Sequence, residues 1–364
     1  MNRKNLIDKI LKSSVTKNSA TINKSEFLNE KDMIPTAIPM LNVAYSGDID
    51  GGLTPGLTQI AGPSKHFKSL LMLLSMKAYL DQYPDAIAIL FDSEFGTPLT
   101  YFSSLGMDPN DERIIHSPIT DIEELRHEIA QNLKAIDRGD KVFIGIDSVG
   151  NLASRKEVDD AEAGKTVADM TRAKQLKSLF RIITPHLTIK DIPMVVVNHT
   201  YKEIGLFPKD IVGGGTGAYY SADTIWIMGR QQEKNTSTKE ITGYNFIINV
   251  EKSRFVKEKS KIPISVAFQG GVEYYSGLLE LAELSGHFVK ATAQSYNRVD
   301  VETGEILSDK TFSKKTCQDH LDEVLKLDSF KEFVRTKYQL GAGNLITKEI
   351  EEDVALDLDA LEKE

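Results

Sequence analysis

Residues 57–69 read LTQIAGPSKHFKS: a short apolar strand, a glycine, and a loop ending in Lys68-Ser69 at the head of an apolar helix. That is the layout of a phosphate-binding loop. The pattern G-x-x-x-x-G-K-[ST] runs from Gly62 through Ser64, Lys65, His66, Phe67 and Lys68 to Ser69, with Phe67 standing where the second glycine belongs. Backbone N–H groups of such a loop, together with the N-terminus of the following helix, cradle phosphate oxygens. Lys68 would reach the β- and γ-phosphates of ATP, and the Ser69 hydroxyl would ligate Mg²⁺. A glycine at position 67 permits dihedrals that a phenylalanine resists. Alone, a Gly-Pro-Ser turn ahead of a helix is equally a plain connection. The surroundings decide between the two.

A chain of 364 residues can bury a large core and carry small appendages beside it. The single cysteine, Cys317, excludes a disulfide framework and a cysteine-based zinc site. The start, MNRKNLIDKILKSS, reads as a basic amphipathic helix without the apolar core of a secretion signal. No apolar run reaches membrane-spanning length, so the expectation is a cytoplasmic protein with no membrane partner. The formal charge is −9, but Glu349–Glu364 holds eight acidic residues and one lysine, leaving only −2 for the remainder. A near-neutral body with local basic loops is compatible with DNA binding. The acidic tail would either compete with DNA for those loops or act as a solubilising end.

From about Thr36 onward the pattern is α/β. Candidate strands are Leu57–Ala61, Ala86–Phe91, Lys141–Asp147, Pro193–Asn198, Thr224–Met228, Asn245–Glu251 and Pro263–Phe268. Most are continuous apolar runs, as expected of strands buried on both faces. Helices are expected over Lys68–Leu80, Asp121–Ile136 and Val167–Ile183, the last stopped by Pro185. Strands alternating with helices, followed by strands in succession, imply a mostly parallel sheet extended by antiparallel strands. An α+β appendage is expected over about 275–345, with an amphipathic helix near Leu321–Leu340.

The expected strand ends carry chemistry. The second runs into FDSEFG and presents Glu94, the third ends in FIGIDS at Asp147, and the fourth runs into VVVNHT and His199. In an open α/β sheet the carboxyl ends of the strands line the ligand crevice. Asp147 has the setting of a Walker B aspartate that holds Mg²⁺ with Ser69. Glu94 would polarise the attacking water as general base. His199 would sense the γ-phosphate. Each residue alone has an ordinary structural explanation, but their order around a phosphate loop favours ATP hydrolysis.

These blocks, with IDSVGNLAS, DMTRAK, SLFRIITP, VNHTY, GGGTG, YSADT, VEKSR and VKEKSK, resemble the RecA-like strand-exchange recombinases over nearly the whole chain. The resemblance implies a RecA-like P-loop ATPase core over 31–274, an N-terminal helical arm over 1–30, a small α+β subdomain over 275–348 and an acidic tail over 349–364. It makes Glu94 the catalytic glutamate and Tyr101 the aromatic that stacks on adenine. It also makes Lys252 and Arg254 a basic pair reaching the ATP of a neighbouring subunit. The arm, through Leu6, Ile7, Ile10, Leu11 and Phe27, would dock on that neighbour.

Single-stranded and duplex DNA would bind two loops. The first spans 154–166, with Arg155 and Lys156. The second spans 201–217, with Lys202, Phe207, Lys209 and Gly213, Gly214 and Gly215; cations and an aromatic on a flexible loop can follow a backbone and wedge between bases. The resemblance also implies a helical filament, a single-strand-binding protein and a loading mediator, all in a host cytoplasm if the source is a phage. Two other readings stand beside it: another RecA-fold DNA-dependent motor, a ring helicase or a repair ATPase, and a non-catalytic DNA-binding scaffold with a decayed loop.

Overall fold

The computed structural model describes residues 2–16, 18–28, 31–164, 171–202, 210–214, 216–235 and 238–341. Phe207, Lys209, Gly215 and the tail from Glu349 lie outside the described residues.

Helix α1 (Arg3–Ser13) opens the chain with Asn2 as its N-cap, and none of its side chains is buried. The arm is less helical than its sequence suggests. Beyond Ser13 the described chain forms only two single 3-10 turns, Ile22–Lys24 and Glu26–Leu28. Serine hydroxyls there bond to nearby carbonyls, Ser13 to Ile10 and Ser14 to Thr16, which competes with helix. Phe27 has a partner within its own chain. The Arg138 guanidinium sits 4.8 Å from its ring centroid and pairs with Asp191 at 2.8 Å.

The core then alternates helix and strand. Helix α2 (Pro39–Ser46) is entirely buried. It is followed by β1 (Gly56–Ala61), α3 (Lys68–Gln82), β2 (Ile87–Asp92), α4 (Leu99–Ser104) and β3 (Ile114–Pro118). Next come α5 (Ile122–Ala135), β4 (Val142–Asp147), α6 (Arg155–Glu162), α7 (Thr171–Lys190) and β5 (Pro193–Asn198). A small ladder, β6 (Thr200–Lys202) with β7 (Asp210–Val212), precedes α8 (Thr216–Ser221). Strands β8 (Thr224–Lys234), β9 (Ile241–Lys252), β10 (Lys261–Ala267) and β11 (Gly271–Val272) complete the large sheet.

Its order is β11-β10-β9-β8-β1-β5-β4-β2-β3, parallel from β8 to β3 and antiparallel from β8 to β11. The mostly parallel sheet with an antiparallel extension is the architecture the strand spacing implies. Alternate residues of one strand serve opposite faces. Val195 and Val197 join the cluster under α2 and α3, while Met194 and Val196 join the one under α5 and α7. After the sheet come α9 (Leu278–Leu284), a three-stranded sheet of β12 (Phe288–Thr292), β13 (Ser295–Arg298) and β14 (Phe312–Ser313), then α10 (Gln318–Val324) and α11 (Asp328–Tyr338).

Three expectations about helices need correction. Pro185 does not stop α7, which runs on to Lys190. The apolar stripe Leu176, Leu179, Phe180, Ile183 and Leu187 continues past the proline and is buried, while Pro185 itself lies on the exposed face. Burial of that stripe outweighs the roughly 3 kcal/mol an interior proline costs. The segment read as a loop from Ser154 is helical as α6, because the Ser154 side chain caps Glu157 N–H at 3.1 Å. The helix expected over Leu321–Leu340 is likewise divided into α10 and α11.

Ile183 is fully buried between α7 and the sheet. Ile183→Ala should lower unfolding free energy by about 2–4 kcal/mol, read as a lower urea midpoint with an unchanged slope. A midpoint within error of the parent chain would show that α7 contributes little to the core.

Candidate nucleotide-binding site

Register brings the strand ends level. Ala61 of β1 pairs with Asn198 of β5, and Asp92 of β2 pairs with Asp147 of β4. The loop leaving β1 enters α3 at Lys68, and Phe67 occupies the cap position in a left-handed conformation, φ 66°. Gly62 is required by close packing, since a Cβ there would come within 2.9 Å of the Met228 Cβ on β8. Ser64, Lys65 and His66 form the turn, with the His66 ring 2.9 Å from the Ser64 carbonyl. The Lys68 ammonium donates to the Pro63 carbonyl at 2.9 Å. Burial pushes it down, against the upward pull of Glu94 and Asp147.

Asp147 is buried at the end of β4. Burial pushes its carboxyl up to about 6; the Ser69 hydroxyl opposes the rise, the charges of Glu94 and Asp92 add to it, and Lys68 opposes it. Its Oδ1 is buried without a hydrogen-bond partner. A hydroxyl and a carboxylate with an unsatisfied oxygen, beside a phosphate loop, suit Mg²⁺, which keeps waters and takes phosphate oxygens for the rest of its shell. Among the described residues no three His, Cys, Asp or Glu side chains form a metal cage.

Glu94 gathers three side-chain partners. Its Oε1 accepts from Ser148 Oγ at 2.7 Å and Asn151 Nδ2 at 3.0 Å, and lies 2.7 Å from His199 Nε2. Burial raises its pKa, but the Ser148 and His199 hydrogen bonds, with the charges of His199 and Lys68, bring it net below the ordinary glutamate value. The loop carrying Glu94 is fixed by Asp92, whose Oδ1 accepts from the N–H groups of Glu94 (3.0 Å) and Phe95 (2.8 Å). His116 Nε2 is 3.3 Å from the other Asp92 oxygen.

The structure therefore brings Lys68, Ser69, Glu94, Asp147 and His199 together. Tyr101 lies on the short helix α4, half exposed, seven residues after Glu94. The peptide hairpin after His199 is stitched to it: Gly213 N–H donates to the His199 carbonyl at 2.9 Å, and Asn198 Nδ2 donates to the Gly213 carbonyl at 2.8 Å. Gly213 and Gly214 thus lie at the hairpin base, where a Cβ would crowd the His199 carbonyl (3.0 Å) and Leu176 (2.8 Å) respectively. Lys202 pairs with Asp210 across the β6–β7 ladder at 2.9 Å. On α6, Arg155 pairs with Asp121 at 3.2 Å and Lys156 with Asp160 at 3.3 Å, so carboxylates lie beside both cations.

Lys252 and Arg254 lie elsewhere. Lys252 pairs with Ile225 at the start of β8, next to the register in which Thr224 meets Thr58 of β1. That is the end of β8 away from the phosphate loop: Ile225 stands beside Gln59, three residues before Gly62, about 10 Å along an extended strand. Lys252 donates to the Tyr219 carbonyl at 3.0 Å, and Arg254 pairs with Asp223 at 2.5 Å.

Sequence reasoning missed the frame behind these groups. Ser148 and Asn151 hold Glu94. Arg172 of α7 donates to the carbonyls of Val149 (3.1 Å), Gly150 (2.5 Å) and Leu152 (2.8 Å), fixing the loop after β4. Gly150 leaves room for His199, whose Cδ2 would be 2.4 Å from a Cβ at that position. The sequence signal was present in the IDSVGN run but without a partner to give it meaning.

A buried aspartate and a strand-end glutamate flanking a phosphate loop, on a mostly parallel sheet with an antiparallel extension, define a RecA-like P-loop core. Comparison with known proteins places it more narrowly. The chain is 46% identical over 355 residues to the recombination and repair protein of Enterobacteria phage T4, UvsX, covering 95% of this chain and 90% of that one. Residues 275–334 match the family model described as the C-terminal domain of the bacteriophage T4 recombination and repair protein. Protein RecA of Streptococcus sanguinis is 26% identical over 330 residues, covering 85% and 81% of the two chains. A crystal structure of the RadB recombinase aligns with TM-score 0.49 at 18% identity, covering 66% of this chain and 99% of that one. The chain belongs to the RecA-like recombinase family, in the branch of the phage T4 protein. No helix among the described residues is long and apolar enough to cross a membrane.

Replacing Gly150 by alanine should displace the His199 ring and break its contact with Glu94. The expected reading is a shift of the His199 imidazole resonances comparable to that produced by Glu94→Gln; unmoved resonances would show that the crowding is relieved elsewhere.

Proposed function

We propose that the protein is an ATP-dependent DNA strand-exchange recombinase, acting in recombination, repair and recombination-dependent replication. It assembles as a helical filament on single-stranded DNA and pairs that strand with duplex DNA in the host cytoplasm. The observation that carries the reading is the bonding of Glu94 to Ser148, Asn151 and His199 beside Lys68, Ser69 and Asp147.

In this mechanism the loop from Gly62 through Ser64, Lys65, His66 and Phe67 presents its N–H groups to the phosphates. Lys68 holds the β- and γ-phosphates, and Tyr101 covers the adenine. Ser69 and Asp147 hold Mg²⁺, which when bound neutralises charge on the phosphates. Glu94, kept ionised by its hydrogen-bond donors, takes a proton from the attacking water. His199 is bonded both to Glu94 and, through its carbonyl, to Gly213, so a change at the γ-phosphate reaches the DNA-contacting hairpin by one residue. Arg155, Lys156 and Lys202 contact DNA backbone, exchanging their present carboxylate partners for phosphates. Phe207, Lys209 and Gly215 join them from outside the described residues, with Gly213 and Gly214 shaping the hairpin base.

Lys252 and Arg254 complete the site of the next protomer, in keeping with their position beside the start of β8, away from the phosphate loop. We assign the arm to 1–30, the ATPase core to 31–274, the C-terminal subdomain to 275–348 and the acidic tail to 349–364. A single-strand-binding protein and a loading mediator complete the partners.

The deciding experiment is ATP hydrolysis with and without single-stranded DNA across protein concentration. Strong stimulation that rises cooperatively with protein is expected. Hydrolysis indifferent to DNA would favour another RecA-fold motor, and none at all would leave a scaffold.

Glu94→Gln should reduce turnover roughly a hundredfold or more while nucleotide and DNA still bind. Lys252→Ala should also lose DNA-stimulated turnover. Mixed in equal amounts, the two variants should recover part of the rate, because an interface between unlike copies can contain both intact groups. Absence of recovery would argue that Lys252 acts within its own protomer.

A further inference from the structure

The loop between β1 and α3 holds two non-glycine residues in the left-handed region, Lys65 at φ 60° and Phe67 at φ 66°. For a bulky side chain this conformation is an outlier. It persists where the surroundings over-determine it. Both supports come from one place, the β8–β9 hairpin. Arg230 Nη1 donates to the Lys65 carbonyl at 3.2 Å. The Phe67 ring stacks on Phe246, with centroids 4.9 Å apart and planes 18° from parallel.

The two supporting residues are cross-strand partners: Arg230 of β8 pairs directly with Phe246 of β9. Residues directly opposite in a ladder present their side chains on one face. Tyr244, two residues along β9, ties them together, lying 4.7 Å from the Arg230 guanidinium and 5.8 Å from the Phe246 ring. Met228, two residues back on β8, is the residue that crowds Gly62 at the other end of the loop. One face of one hairpin therefore touches the phosphate loop at Gly62, Lys65 and Phe67.

We infer that this hairpin face is the positioning device of the phosphate loop. Arg230 and Phe246 hold Lys65 and Phe67 in the shape a glycine would adopt unaided, and so set nucleotide affinity without touching the nucleotide. Phe67 is then a working substitute for glycine rather than a sign of decay: its ring gains a stacking partner that compensates its backbone. The inference deepens the proposed function and rests on the reading that this loop binds ATP.

The test is titration of the full-length chain with a fluorescent ADP analogue, in two cycles. Phe246→Leu keeps apolar volume in the core but removes the stacking face. It should weaken the analogue about tenfold, the scale of one left-handed residue losing its support. Glycine at position 67 needs no such support, so Phe67→Gly and the double variant Phe67→Gly/Phe246→Leu should bind within about twofold of each other. The second cycle pairs Arg230→Gln with Lys65→Gly in the same way and reads the inference from the exposed end, should Phe246→Leu fail to fold. Coupling of this kind in either cycle supports the inference. Supporting-residue variants that bind like the parent overturn it, as does a loss of equal size in both backgrounds, which would mean Phe246 or Arg230 acts only through general packing. A parent chain that takes up no analogue would sink the ATP reading itself, an outcome distinct from both.

Discussion

Three carboxylates, Asp92, Glu94 and Asp147, converge at the ends of two adjacent strands, with Lys68 the ammonium that couples to two of them. Like charges gathered in a partly buried site must each be given a different answer, or one will protonate. Here the answers differ. Asp92 is anchored by two backbone N–H groups and lies beside His116. Glu94 collects donors from Ser148, Asn151 and His199 and stays below its ordinary pKa. Asp147 has a serine hydroxyl and an oxygen left over, and burial raises it to about 6. The parallel register that aligns the strand ends creates this crowding, and the loops after β2, β4 and β5 are shaped to resolve it.

Much of that frame is legible in the chain. Continuous apolar runs locate β1, β2, β4 and β5 within a residue or so, because strands covered on both faces leave an unbroken signal. The residues just past them follow from the topology alone. What escaped reading had weaker or longer-range causes. Strand β3 is half exposed, with Ile115 open to solvent, so it offers no apolar run. Pro185 looked like a stop because the local cost is visible in sequence, whereas the burial of Leu187 that outweighs it is not. Helix α6 carries no buried residue, and only its Ser154–Glu157 cap announces it.

The site shows the same division. The convergence of Lys68, Ser69, Glu94, Asp147 and His199 at the strand ends is legible from spacing. Gly150 and Arg172 are not, because each matters only for what lies across the fold: the His199 ring in one case, three carbonyls in the other. Phe27 shows the converse. Its apolar character was plain, but its partner Arg138 is more than a hundred residues away on the same chain. Phe67 is the sharpest instance, since a consensus reading marks it as a defect and its stacking partner on β9 removes the objection.

The distance between the phosphate loop and Lys252–Arg254 has a further consequence. The loop follows the carboxyl end of β1, whereas the pair lies at the end of β9 beside the start of β8. If each pair answers a neighbour's loop, a row of n copies contains n−1 finished sites, and its two termini are chemically unlike. One terminus would offer a loop awaiting cations, the other cations awaiting a loop. Such a row has a direction written into every unit, and its capacity for turnover counts junctions rather than molecules. A lone copy would then be a half-assembled catalyst, silent until joined.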